Sequence, residues 1–110
     1  MAYQATHRFA RIAPRKAQLV AEMIRGMPVD LAMSTLQYSK KRAAYYYRAV
    51  LKSAVANATE ADADIASLVV SVSRADAGPT MKRFQPKDRG RAHPILKRTS
   101  HLHLELDERK

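Results

Sequence analysis

The sequence has no cysteine and no tryptophan, only three glycines, and half as many acidic residues as basic ones. Without cysteine there is no disulfide, no thiolate nucleophile and no Cys-ligated zinc. A reducing cytosol suits such a chain. The glycines (Gly26, Gly78, Gly90) stand far apart, each at an expected element end, so no Gly-rich loop cradles a nucleotide phosphate. No run approaches the roughly 18–20 apolar residues of a membrane span. Met1-Ala2-Tyr3-Gln4 lacks the basic start and apolar stretch of a secretory signal, so no membrane partner is expected. Ser, His and Asp occur, but no nucleophile-elbow or triad motif frames them, and no cofactor motif is present. The absences together point away from an enzyme.

What is present is length for one domain, a modest core, and a large cationic excess. A chain of 110 residues, 46% of them hydrophobic, should fold as a single unit spanning 1–110. The net charge is +10. Such an excess selects polyanionic partners and salt-sensitive association. Its distribution is uneven. Residues 1–79 carry net +5, and residues 99–110 carry −1. Residues 80–98 carry +6, with Lys82, Arg83, Lys87, Arg89, Arg91, Lys97 and Arg98 opposed by Asp88 alone. A solvated face rarely shows that density of one sign.

Along the chain, residues 3–11 alternate, with Tyr3, Ala5, His7 and Phe9 on one side and Gln4, Thr6 and Arg8 on the other. That pattern predicts a half-buried strand. Pro14 suits the first position of a helix, although Ala13 before it offers no capping oxygen. Over 15–25 the helical wheel places Leu19, Val20, Met23, Ile24 and Met27 on one face, and Gly26 and Pro28 end the element. Residues 29–38 predict a short helix with Asp30 at its positive end. Ser39 predicts the N-cap of a long helix over about 40–60. Its stripe is Ala43, Tyr47, Val50, Leu51, Ala54 and Ala58, whose alanines allow close approach to a sheet. Asn57 falls toward that stripe and needs a partner there. Of three consecutive tyrosines, Tyr47 faces the core, Tyr45 the solvent, and Tyr46 the boundary. Leu68–Val72 predicts a strand, and Leu102, Leu104 and Leu106 alternate with His101, His103 and Glu105 in another.

The basic segment between those strands predicts a hairpin turning at Lys87-Asp88-Arg89-Gly90. Arms of about ten residues reach roughly 30 Å. Pro86 and Pro94 fit edge or bulge positions. A long ribbon with few large apolar residues is ordered by what it touches. Lys and Arg at this density neutralise phosphates and release counterions. Phe84, beside Lys82 and Arg83, packs on nucleic acid or on the protein body. On the long helix, Lys41, Tyr45, Arg48 and Lys52 line up as a second RNA contact or an ordinary solvated face. The His101/His103 pair could in principle hold zinc, but His7 and His93 lack ligand spacing. These imidazoles read as surface groups or neighbours of RNA phosphate. Two other classes remain open on the residues alone. One is an architectural DNA-binding protein using a basic β-arm. The other is a small RNA-modifying enzyme, which needs an acid/base cluster that nothing in the sequence frames.

Several motifs resemble one family. Gly78-Pro79-Thr80-Met81-Lys82-Arg83-Phe84, Gly90-Arg91-Ala92 and Ile95-Leu96-Lys97-Arg98-Thr99-Ser100-His101 are similar to bacterial large-subunit ribosomal protein family twenty-two. Pro14-Arg15-Lys16-Ala17, Ile24-Arg25-Gly26 and Ser53-Ala54-Val55-Ala56-Asn57-Ala58 match it in the same order. The resemblance covers essentially the whole chain. It implies an α+β fold, three helices packed on a three-stranded antiparallel sheet, with a long protruding basic β-hairpin. The body would be 1–79 and 99–110, and the hairpin 80–98. The family implies a cytoplasmic, non-enzymatic ribosomal constituent, monomeric within the ribosome, that binds large-subunit ribosomal RNA, supports assembly and adjoins other ribosomal proteins. Its hairpin tip, here Lys87, Asp88, Arg89, Gly90 and Arg91, would line the exit tunnel and meet the nascent peptide. Changes around Met81-Lys82-Arg83 would alter macrolide response through tunnel shape. Arg15 and Lys16, inside a matching motif, join the candidate RNA contacts. Ala13, Gln85 and Asp88 depart from the family's pattern, and Asp88 places an acid where phosphates would repel it unless Lys87 or Arg89 pairs with it or it faces the tunnel.

Overall fold

A computed structural model describes the backbone of residues 3–87 and 91–108, and the side chains of residues 3–80 and 97–108. The elements run β1 (Tyr3–Ala10), α1 (Pro14–Ile24), α2 (Val29–Tyr38), α3 (Arg42–Glu60), a 3-10 turn (Ile65–Ser67), β2 (Leu68–Lys87) and β3 (Arg91–Glu108). The strands form one antiparallel sheet in the order β1-β3-β2. The strand at the C-terminal end of the chain is therefore the central one. Leu106 lies between Tyr3 on one side and Val70 on the other. Leu102, Leu104 and Leu106 are fully buried, as their alternation predicts.

All three helices supply the other layer. α1 packs on β2, α3 crosses β1 and β3, and α2 lies against α3. The expected α3 stripe is buried at every position: Ala43, Tyr47, Val50, Leu51, Ala54 and Ala58. Gly26 stops α1 with φ +82°, a left-handed conformation that glycine adopts without a Cβ clash. The chain then ties to β2, with the Gly26 N–H donating to Val70 O at 2.8 Å and the Val70 N–H to Met27 O at 2.9 Å. Arg25 Nη2 donates to Ser73 O at 2.7 Å.

Several expectations are corrected. Phe9 does not share the inward face of Tyr3, Ala5 and His7; it is 59% exposed with φ +59°. The pairing shifts between His7 and Ala10, so Ala10 turns inward instead. The Phe9 N–H donates to His101 Nδ1 at 3.1 Å, and the two rings meet edge to face at 5.0 Å. Leu19 is solvent-facing, and the buried face of α1 is Ala17, Val20, Ala21 and Ile24. Small side chains there let the helix sit close to the sheet. Ser39 is not the cap of α3. That helix starts at Arg42 with Lys41 as N-cap, and Ser39 Oγ accepts the Lys41 N–H at 3.3 Å, just outside it. Asn57 is exposed rather than inward, and its Nδ2 donates to Gln4 O at 2.9 Å, stitching α3 to β1.

The two strands around the basic segment are far longer than the periodicity suggests. Gly78-Pro79 does not end a strand; it sits at an irregularity between Ala77 and Thr80, and pairing resumes at Thr80↔Arg98 and continues to Lys87↔Arg91. A Cβ on Gly78 would lie 2.6 Å from Thr99 Oγ1, which itself donates to Pro79 O. Glycine is needed there for close approach. A second irregularity between Val70 and Val72 turns Ser73 into the core opposite Leu104, which is why a hydroxyl is buried there. The extents are 63 × 24 × 18 Å. Twenty extended residues span about 66 Å, so β2 alone accounts for the long axis.

Candidate nucleic-acid interface

Basic residues from four separate segments meet at one end of the helical layer. β1 ends at Ala10, and the chain turns through Arg11 and Ile12 toward α1. Ile12 is buried, and Ser100 Oγ donates to its carbonyl at 2.7 Å. That anchor leaves Arg11 outside. Lys16 follows in the first turn of α1, and Arg42 opens α3. Lys97 and Arg98 are exposed on β3 just before the buried Thr99 and Ser100. Arg11, Lys16, Arg42, Lys97 and Arg98 together line a cavity of about 330 Å³. No carboxylate is among the described lining residues. The ion pairs seen among the described residues, Arg74–Asp76 and His103–Glu105, involve none of these five. α1 and α3 both begin here without an acidic first turn or a side-chain cap, so their positive ends add to the field.

Two neighbouring hollows extend this surface. Arg15 joins Lys16 and Arg98 around one of about 560 Å³. Lys41 joins Lys16, Arg42 and the exposed Leu19 around one of about 380 Å³. Of the candidate contacts, the fold thus gathers Arg15, Lys16, Lys41, Lys97 and Arg98. Arg48 and Lys52 stay apart, six and ten residues beyond Arg42, or about 9 and 15 Å along the helix. Arg48 lies 5.8 Å from the Tyr45 ring centroid, a cation–π arrangement on the helix surface. Arg11 and Arg42 are the residues missed by sequence reasoning. The local signal was an arginine near the uncapped starts of α1 and α3, Arg11 three residues before Pro14 and Arg42 as the first residue of α3; their convergence is set by non-local packing.

The hairpin candidates divide. Lys82, Arg83, Lys87 and Arg91 have described backbones, paired with Leu96, Ile95 and, for Lys87 and Arg91, each other. Their side chains lie outside the described residues, as do Asp88, Arg89 and Gly90 entirely. The paired histidines lie on the sheet face opposite the leucines. His103 Nδ1 hydrogen-bonds Thr6 Oγ1 at 2.7 Å, and His101 Nδ1 accepts the Phe9 N–H. Among the described residues no three His, Asp or Glu cluster as metal ligands. No helix among the described residues is long and apolar enough to cross a membrane. Of the described residues, the one group with a shifted pKa lies in the core: burial pushes the Tyr47 phenol well up, Asp76 adds to this, and Arg25 opposes it.

Comparison with known proteins gives a consistent picture. A sequence model described as ribosomal protein L22p/L17e matches residues 5–107. A large ribosomal subunit protein uL22 from Magnetococcus marinus is 54% identical over 100 residues, covering 90% of this chain and 88% of that relative. A protein of the same name from Desulfotalea psychrophila is 47% identical over 109 residues, covering 98% and 99%.

Proposed function

The chain belongs to the ribosomal protein L22p/L17e family, and from that premise we propose how it acts as a structural, non-enzymatic protein of the large ribosomal subunit in the cytoplasm. Its body binds large-subunit ribosomal RNA through the cations gathered between α1, α3 and β3. The ends of β2 and β3 form a basic hairpin, residues 80–98, that runs between RNA segments. The tip, Lys87 to Arg91, lines the exit tunnel and meets the nascent peptide. Neighbouring ribosomal proteins complete the surroundings.

The observation that carries this reading is the pairing of β2 with β3 down to Lys87↔Arg91, with a net charge of +6 over residues 80–98. A paired backbone sets the positions that carry those charges at the regular spacing of a strand. The test is affinity for deproteinised large-subunit ribosomal RNA across a salt series, comparing the full chain with a deletion of 82–91. The deletion removes Lys82, Arg83, Lys87, Arg89 and Arg91. Each lost phosphate contact should flatten the plot of log affinity against log salt by about 0.7–0.9. An unchanged slope overturns phosphate binding by this arm. Structured RNA should also outcompete duplex DNA, and the reverse preference returns the protein to the DNA-binding class.

A further inference from the structure

We propose that His101 is a protonation-sensitive latch: its neutral ring holds the outward bend of β1 at Phe9, and its charged ring releases that bend. The device sits where β2 and β3 run on past the end of β1, at the foot of their two-stranded extension.

The bend needs a partner to hold it. β1 pairs with β3 at His7↔Leu102 and again at Ala10↔Ser100, so Arg8 and Phe9 together stand opposite the single residue His101. Such a two-against-one bulge bends a strand. Phe9 takes φ +59° there, a left-handed conformation that a bulky side chain rarely adopts, and its ring stays exposed. Strained backbone of this kind persists only where its surroundings fix it. His101 does so, because its Nδ1 accepts the Phe9 N–H at 3.1 Å while the two rings meet edge to face at 5.0 Å. The imidazole is itself wedged against β2: a Cβ on Gly78 would lie 3.3 Å from its Cε1 and Nε2. One ring therefore sits between the bulge of β1 and the irregularity of β2 between Ala77 and Thr80.

The bond has a fixed polarity. A backbone N–H only donates, so His101 Nδ1 must be bare and the ring proton must sit on Nε2. Histidine is the side chain whose charge changes near neutral pH. Protonating this ring puts an N–H on Nδ1, where it faces the Phe9 N–H; two donors meet and the bond is lost. His103, two residues along the same sheet face, has no such weakness. Its Nδ1 meets Thr6 Oγ1 at 2.7 Å, and a hydroxyl donates to a bare nitrogen or accepts from a protonated one. Glu105 Oε2 also stands 3.8 Å from His103 Nε2 to meet its charge. The other charged groups about His101 are Arg8, beside Phe9 in the bulge, and Arg74 and Asp76 on β2. Asp76 is its ladder partner and is engaged by Arg74 Nε at 3.1 Å. The helices pack on the opposite face, over the buried leucines. Losing the latch frees Phe9 from its left-handed turn and loosens the brace between β1 and the foot of the extension.

The test is nuclear magnetic resonance on the full chain between about pH 8 and about pH 5. At the alkaline end the His101 ring should carry its proton on Nε2 and none on Nδ1. The second readout is protection of the Phe9 amide against hydrogen exchange, taken relative to an unstructured peptide at the same pH. Across the titration of the His101 ring this protection should fall about five-fold, the loss of one hydrogen bond. The Gly26 amide, bonded to Val70 O opposite Leu106, should keep its protection. His101→Asn puts an amide oxygen in place of Nδ1, an acceptor that does not titrate, so Phe9 should stay protected throughout. His101→Phe keeps a ring without an acceptor, and Phe9 should lack protection at every pH. Should either variant fail to fold, the unsubstituted chain's ring and amide data decide the matter alone. A proton on Nδ1 at the alkaline end overturns the latch. So does Phe9 protection that stays flat while His101 titrates, or that falls only in step with Gly26. An Asn variant that keeps the unsubstituted chain's pH dependence overturns it as well.

Discussion

Tyr47 shows how a single residue ties this core to pH. It is fully buried, and its hydroxyl donates to Arg74 O at 3.0 Å. Burial raises the phenol's pKa above the ordinary value, with Asp76 reinforcing the shift and Arg25 countering it. The unfolded phenol ionises near pH ~10 while the folded one holds its proton. The stability it contributes is therefore complete below about pH 10 and is lost as pH rises beyond it. Urea titrations should show a falling midpoint above that pH, with a smaller fall in Tyr47→Phe. A wild-type curve that parallels Tyr47→Phe throughout would contradict this account. At neutral pH the substitution should cost about 1 kcal/mol for the lost hydrogen bond. Tyr47 was legible in advance from its place on the helical wheel. Its carbonyl partner was not, because Arg74 O reaches it only through the packing of α3 on the sheet.

At the scale of elements, small residues set distance. The stripe of α3 includes Ala43, Ala54 and Ala58, and α1 turns Ala17 and Ala21 inward while leaving Leu19 outside. A wheel that ranks residues by hydrophobicity favours Leu19; a close-packed interface favours the methyl group. Ala54→Leu should thus destabilise the protein by about 1–3 kcal/mol through overpacking. Ala56→Leu, on the exposed side of the same helix, should stay within about 0.5 kcal/mol. Thermal melts of the two variants make the comparison, and equal losses would mean that helix propensity rather than spacing governs α3. The same scale explains why β1 was misread at its end. Strict alternation carries Phe9 inward, but the shift between His7 and Ala10 inserts a residue and reverses the faces. Bulges have no reliable signature in a run of alternating residues. The element end expected at Gly78 is absent for a related reason, since an irregular pair of residues sits within β2 without ending it.

For the whole molecule, the assignment to the large subunit makes a direct prediction. The tagged chain should cosediment with large subunits through a high-salt gradient that strips peripheral basic proteins. Loss into the light fractions would mean that it is not embedded in the RNA. Several features needed nothing beyond the order of residues. Helix positions follow from apolar spacing and from Pro14, Gly26 and Pro28; the leucine face of β3 follows from period-two alternation; the cationic character of 80–98 follows from counting. Motifs spread through the chain carried the family resemblance. These are local properties, carried by neighbours a few residues apart. The tertiary structure alone decided that the last strand is central, that β2 and β3 are each a single strand running on beyond the end of β1, and that Arg11, Lys16, Arg42, Lys97 and Arg98 surround one cavity. Arg11 and Arg98 are far apart along the chain, and only the antiparallel return of β3 beside β1, pinned by Ser100 on Ile12, brings them together.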